Sequence, residues 1–341
     1  MPDTGRLVRG GWCGAAPTTG AGVDGKAMVR VLEFLGGNAI PALFLGVFLG
    51  LLLPDLATLA RPLLGPCVVL LLLATLLRVD WDGVRLYVRR PGLGVMATAW
   101  LLIASPILVW ALVVPHGLLP PALATALVLM AAAPPILGAT SIAIILGLDG
   151  ALIMVVTLLA SLLAPLTIPP LALALLGLEL EVSVLEFTLR LSAVVFLAFA
   201  GALALRRLTS PEWLARRARH IDGLVVVVMV VFAVAIMAGV TDTLIERPGT
   251  VVLWVAAAFL ANPLLQALGA LAFVRLGRRA ALTIGLASGN CNMGLLMAAM
   301  PADSDYDVFL FFALAQLPMY MLPAVLSPFY RRVGMPPGTN A

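Results

Sequence analysis

Charge is what this sequence has least of. Asp, Glu, Lys and Arg make up 11% of its 341 residues, where ordinary soluble domains carry about 25%. So little charge excludes a water-soluble globular domain, whose surface needs more than this chain can supply. Histidine is scarcer still, with only His116 and His220, both in expected loops. No Asp or Glu falls at the centre of an apolar run. A buried acid, base or nucleophile pair is therefore missing, and with it the parts for hydrolytic or metal chemistry. No catalytic residue, no metal ligand and no cofactor is expected. Cys13, Cys67 and Cys291 stand far apart, without the close spacing of a disulfide framework or a metal cluster. Residues 1–27 show no long apolar stretch behind a basic start, so a cleavable signal peptide is not expected there.

What fills the chain instead is hydrophobic sequence, 62% of it. Runs such as 68–77, 122–133 and 224–240 recur down the whole length, separated by short polar breaks of the kind that end membrane spans. Hydropathy predicts spans at roughly 34–53, 57–77, 92–114, 121–147, 151–177, 188–205, 221–240, 250–274, 280–300 and 308–330, each near the 20 or so residues that a bilayer requires. Counting basic residues tests that number independently. If the loops alternate between two sides, all of the 21 Lys and Arg residues fall on the side of the termini except Arg61, Arg190 and Arg247. A miscounted helix would scramble the split, so the positive-inside rule supports ten spans with both termini cytoplasmic, in a bacterial-type inner membrane.

Ten spans divide into two sets of five, and an odd number per set inverts the second relative to the first. The expected fold class is an all-α polytopic membrane protein of two inverted five-helix repeats, over 31–178 and 179–332. A disordered cytoplasmic tail is expected over 1–30, and a second tail over 333–341. The densest polar motifs fall at equivalent places, in the fourth and ninth spans. Interrupted helices at matching positions of inverted repeats are the sequence pointer to a transporter's binding site.

In the fourth span, Pro134, Pro135, Gly138, Thr140 and Ser141 interrupt apolar sequence. Two successive prolines remove backbone donors and push against the preceding turn, so a break is predicted there. In the ninth, Ser288, Gly289, Asn290, Cys291, Asn292 and Gly294 do the same. Asn290 and Asn292 would face different sides of a regular helix, so an unwound stretch between Gly289 and Gly294 is predicted to turn both toward one site. Freed backbone groups cannot face lipid, so the two breaks are predicted to converge. Thr157 and Ser161, four apart, share a helix face. The candidate substrate- or ion-binding residues are thus Thr140, Ser141, Thr157, Ser161, Asn290, Cys291, Asn292 and Gln316. Asn262 and Gln266 read instead as interhelical hydrogen-bonding groups.

These segments, with Asp149-Gly150-Ala151-Leu152 and Ser161-Leu162-Leu163-Ala164-Pro165-Leu166-Thr167 in the fifth span and Asp80-Trp81 through Arg89-Arg90-Pro91 before the third, resemble the bile acid:sodium symporter family, and in particular its bacterial sodium-dependent transporter-like members. The resemblance implies a panel domain and a core domain, with the broken helices crossing in the core and a substrate held between. It also implies a secondary transporter that moves a small organic solute, an organic anion, by alternating access. The partners so implied are that solute and the lipid bilayer, not nucleic acid. An uncoupled facilitator or channel, or a non-transporting receptor or scaffold, is the alternative. The family's Pro-Gly-Gly break stands here as Pro134-Pro135-Ile136, and its Gln-Asn pair as Cys291 and Asn292. Its sodium-coordinating glutamate falls at Ala287 or Gly285, and its third-span glutamine near Leu101. Na+ is thus the one bound ion that the resemblance implies, and with these ligands replaced sodium dependence is expected to be weak or absent.

Overall fold

A chain in lipid has no water to satisfy its peptide groups, so its apolar runs must close their hydrogen bonds internally. The computed structural model describes residues 39–77, 79, 84–85, 87, 91–136, 138–177, 183–301 and 304–334, and all regular elements among them are helical. In chain order they begin with α1 (Ala39–Leu52), α2 (Pro54–Ala60) and α3 (Leu64–Leu77), the last two joined by a 3-10 turn at Arg61–Leu63. Next come α4 (Gly92–Ala99), a π segment at Trp100–Ala104, α5 (Ser105–Val113), α6 (Pro121–Ala132), α7 (Ala139–Ile145) and α8 (Gly150–Leu176). The second half holds α9 (Val184–Leu208), α10 (Pro211–Ala235), α11 (Val240–Glu246), α12 (Pro248–Ala272) and α13 (Arg278–Gly289). It closes with α14 (Met293–Ala299), α15 (Tyr306–Leu314) and α16 (Gln316–Gly334). The expected tail at 1–30 lies outside the described residues, and so does the one expected at 333–341 except for Val333 and Gly334, which continue α16.

Several helices start where the sequence supplies a capping oxygen. The side chains of Asp149, Ser183, Ser210 and Asn292 accept from the backbone N–H groups of Leu152, Glu186, Trp213 and Leu295, satisfying donors that a helix start leaves open. Among the described residues, seven helical stretches are long and apolar enough to cross a membrane: Pro54–Leu77, Gly92–Val113, Gly150–Leu176, Val184–Leu208, Arg216–Glu246, Pro248–Ala272 and Tyr306–Tyr330. The protein is thus a multi-pass, all-helical membrane protein. The other three expected spans are shorter for identifiable reasons. The first is described only from Ala39, and the fourth and ninth are each split into pieces of 12 and 7 residues. None of these pieces reaches the length a bilayer needs.

The helices pack in two groups. One joins α1 to α10 and α3 to α9 and α10; the other gathers α4 to α8 and α12 to α16. Glycine decides the closest approaches. A Cβ on Gly46 or Gly50 would stand 2.9 Å or 2.8 Å from a backbone carbonyl of α10, so this small-xxx-small pair lets the two backbones lie together. Gly285 and Gly289, also four apart, do the same for α13 against α12. Between the groups, α8 packs on α9, and α14 packs on both α3 and α9. Large apolar side chains such as Leu59, Leu166, Phe196 and Ile245 point outward.

Candidate functional site

The two interruptions meet. Helix α6 ends at Ala132, and Ala133 turns the chain into extended backbone with φ −68° and ψ 138°. Pro134 and Pro135 follow, buried, and α7 begins at Ala139. On the other side α13 ends at Gly289, and α14 begins at Met293. The extended pieces pair antiparallel, with Pro135 opposite Cys291. Ile136 N donates to Asn290 O at 2.7 Å, and Asn292 N donates to Pro134 O at 2.6 Å. Each break thus satisfies the backbone groups that the other frees, which is how non-helical chain survives inside a membrane protein.

The unwound stretch is narrower than the sequence suggests. It covers Asn290 to Asn292, not the whole interval between Gly289 and Gly294, since both glycines are helical. Their role is close packing rather than unusual backbone geometry. A Cβ at Gly289 would lie 2.6 Å from Asn262 O, and one at Gly294 would lie 2.9 Å from the Phe232 ring. Gly138 stands exposed with ordinary helical φ of −66°. Asn262 and Gln266 act between helices: Asn262 Nδ2 donates to Gly289 O at 2.7 Å, and Gln266 Oε1 accepts from the Tyr330 hydroxyl of α16 at 2.5 Å, while within α12 Gln266 Nε2 donates to Asn262 Oδ1 at 2.6 Å.

The second break and two helices that pack on the elements of the crossing carry side-chain oxygens with no hydrogen-bond partner among the described residues. Thr157 Oγ1, Ser161 Oγ, Asn290 Oδ1 and Gln316 Oε1 are each buried and accept or donate nothing through those atoms among the described residues. Thr157 and Ser161 occupy one buried face of α8, which packs against α6, α7 and α13. Gln316 opens α16, which packs on α12 and α13. An unpartnered buried oxygen costs about 1–3 kcal/mol, so four on elements flanking one crossing are a reserve of ligating capacity. The remaining candidates differ. Cys291 is buried and donates its thiol to Ser288 O at 3.0 Å, and Asn292 Oδ1 caps α14. Thr140 is half-buried, and Ser141 is exposed on α7.

Sequence reasoning missed the π segment of the third span. It packs against α6 and α8, and its Trp100 Nε1 donates to Ser288 Oγ at 3.1 Å. Such bulges recur at functional sites, but this one carries no proline or glycine that would mark it in the sequence.

A cavity of about 810 Å³ opens between α3 and α9 on one side and α4 and α8 on the other. Its lining is apolar, with Val95, Val155, Leu159 and Phe199, and ends at Arg206. That guanidinium donates to Leu77 O at 2.7 Å. At the same end Tyr87 donates its hydroxyl proton to Asp149 Oδ2 at 2.5 Å. Burial, then that bond, pushes the Tyr87 phenol above its ordinary range, so it stays a donor at physiological pH. Among the described residues no group of three His, Cys, Asp or Glu side chains could hold a metal ion.

Residues 65–247 match the model of the Sodium Bile acid symporter family. The matched stretch runs from α3 through the first break and the whole of α8 to the end of α11, and stops short of the second break. No curated protein matches the chain in sequence.

Proposed function

The chain belongs to the sodium bile acid symporter family, a family of membrane transporters, and from that premise we propose that it is a ten-span secondary transporter moving a small organic anion by alternating access. The observation that carries this reading is the pair of backbone-bonded breaks flanked by the unpartnered oxygens of Thr157, Ser161, Asn290 and Gln316. Interrupted helices that cross and offer free polar groups are what transporters use to hold a solute or an ion.

Three further features support it. The pairing of α1 with α10 has its counterpart in that of α9 with α3, as two inverted five-span repeats would generate. The basic residues favour cytoplasmic termini in an inner membrane. On that orientation α14 lies in the outer half and packs against α3 and α9, while the 810 Å³ cavity opens among cytoplasmic ends. This is the asymmetry of an inward-facing state. An apolar crevice ending in Arg206 suits an amphipathic anion, its charge carried at one end.

The test is a screen of organic acids for stabilisation of the purified protein, followed by uptake and counterflow in proteoliposomes. A transporter gives saturable uptake and exchange of internal for external solute. Uptake without counterflow would establish a channel, and binding without uptake a receptor; either replaces this reading.

A further inference from the structure

The face with almost no positive charge has three arginines, and two of them line one pocket. Arg61 and Arg190 border a cavity of about 400 Å³ between the starts of α3 and α9 and the segment joining α14 to α15. The third, Arg247, is engaged elsewhere in a two-pronged pair with Asp307, at 3.0 Å and 2.8 Å. That pair raises the arginine's pKa. Arg61 has no carboxylate partner among the described residues. Its guanidinium lies 5.2 Å from the centre of the Phe309 ring, a contact that places the cation without neutralising it. The turn Arg61–Leu63, with Pro62 inside it, fixes where that side chain leaves the backbone. Arg190 does meet an acid, Glu186, at 2.7 Å one helical turn away, but both side chains are about half exposed, at 46% and 47%. An ion pair so open to solvent is weak and easily exchanged.

The rest of the wall has two characters. Leu64, Met297, Met300 and Phe309 give it an apolar floor, with methionines that adapt to irregular shapes. Ser304 adds a buried hydroxyl with no partner among the described residues. A cavity of this size falls within the range for small organic ligands, about 300–1,000 Å³. Two forked cations and a hydroxyl above an apolar floor match a carboxylate or sulfonate on a short hydrophobic body.

We propose that Arg61, Arg190 and Ser304 form a binding site for an amphipathic organic anion, separate from the crossing of the broken helices and on the opposite face from the basic loops. Because α14 ends in this pocket while α3 and α9 form its other wall, an occupant bridges the two helix groups at their point of contact. The site is independent of the transport reading above and stands or falls by binding alone.

The experiment uses the full chain in lipid nanodiscs with 4-phenylbutyrate and its uncharged amide as probes, measured by equilibrium dialysis. The carboxylate should bind about tenfold more tightly than the amide, since two charge-assisted forks from arginines at the pocket's exposed rim together contribute that much. Arg61→Gln should weaken the carboxylate about tenfold and leave the amide unchanged. Arg190→Gln should weaken it less, and Glu186→Gln should tighten it by releasing Arg190. Melting curves confirm that each variant is folded. Equal binding of acid and amide overturns the site, as does wild-type affinity in the Arg61→Gln/Arg190→Gln protein. Loss of binding in Asn292→Ala with retention in Arg61→Gln would put the anion at the crossing instead and also overturn it.

Discussion

Gly289 shows how much one missing methyl matters here. The atom nearest in kind to an obstacle is backbone, Asn262 O at 2.6 Å from a hypothetical Cβ, so no rotamer change could make room. Gly289→Ala should destabilise the fold by about 1–3 kcal/mol through overpacking, read as a lower melting temperature in detergent. Gly249→Ala, with nothing within 4 Å of its added carbon, should melt like the parent protein. Equal melting of the two variants would show that α12 and α13 are not so closely apposed. The polar candidates call for substitutions that separate packing from ligation. Thr157→Val keeps shape and removes an oxygen that has no protein partner, so stability should hold while uptake falls about tenfold or more. Asn292→Ala also forfeits the bond to Leu295 N, a cap contribution of about 1 kcal/mol. Asn292→Ser retains a capping oxygen and isolates the loss of the amide. Wild-type uptake by both Thr157→Val and Asn292→Ser would end the assignment of these two residues to the site.

At the scale of the element, proline is a less reliable sign of a break than the fourth span suggests. Helix α8 runs unbroken for 27 residues through Pro165, Pro169 and Pro170, and α12 through Pro263. What distinguishes Pro134 and Pro135 is a partner: the freed backbone finds Asn290 and Asn292 across the crossing. That partner is remote in sequence, so proline content could mark the fourth span as a candidate but could not by itself tell a break from a tolerated kink. The second break was legible from the density of amides and small residues between Ser288 and Gly294, yet its narrow extent was not. The glycines at its two ends are needed for contacts to Asn262 and Phe232 rather than for unwinding, which no local pattern reveals. The pairing itself is testable by cross-linking. Opposed residues of a non-hydrogen-bonded antiparallel pair have Cα atoms about 4.5 Å apart, inside the range of about 4.4–6.8 Å that a disulfide bridges. Pro135→Cys, in a background where Cys13 and Cys67 are replaced by Ala, should therefore cross-link to Cys291 on mild oxidation, seen as a linked peptide pair by mass spectrometry. Cross-linking at Ile145→Cys, far along α7, should not occur. If the thiol introduced by Pro135→Cys stays free under the same oxidant, the breaks do not pair in the membrane.

For the whole molecule, the distribution of charge decides what can drive transport. Hydropathy and basic-residue counting foresaw the helical, multi-pass character because both report on the lipid, which acts on every span alike. Coupling depends on a few atoms, and there the substitutions matter more than the pattern. Ala287 and Gly285 are both buried on α13, and Leu101 is buried in the π segment, so none of the three positions where the family resemblance expects ligands supplies a polar side chain. A sodium ion leaving water is favoured by a fixed negative charge, whose attraction at about 4 Å is worth about 4 kcal/mol even at an effective dielectric of about 20. The oxygens of Thr157, Ser161, Asn290 and Gln316 are neutral, and a cation held by them alone lacks that attraction. No Asp, Glu or His lies among them to carry a proton. Uptake should therefore change less than about twofold when choline replaces sodium, a difference of under about 0.5 kcal/mol in driving force. It should respond instead to the gradient of the anion itself. The comparison is uptake into proteoliposomes under an inward sodium gradient, under choline, and under a pH gradient. Accumulation several times above equilibrium with sodium alone would show that neutral oxygens suffice to hold the ion and would overturn this expectation.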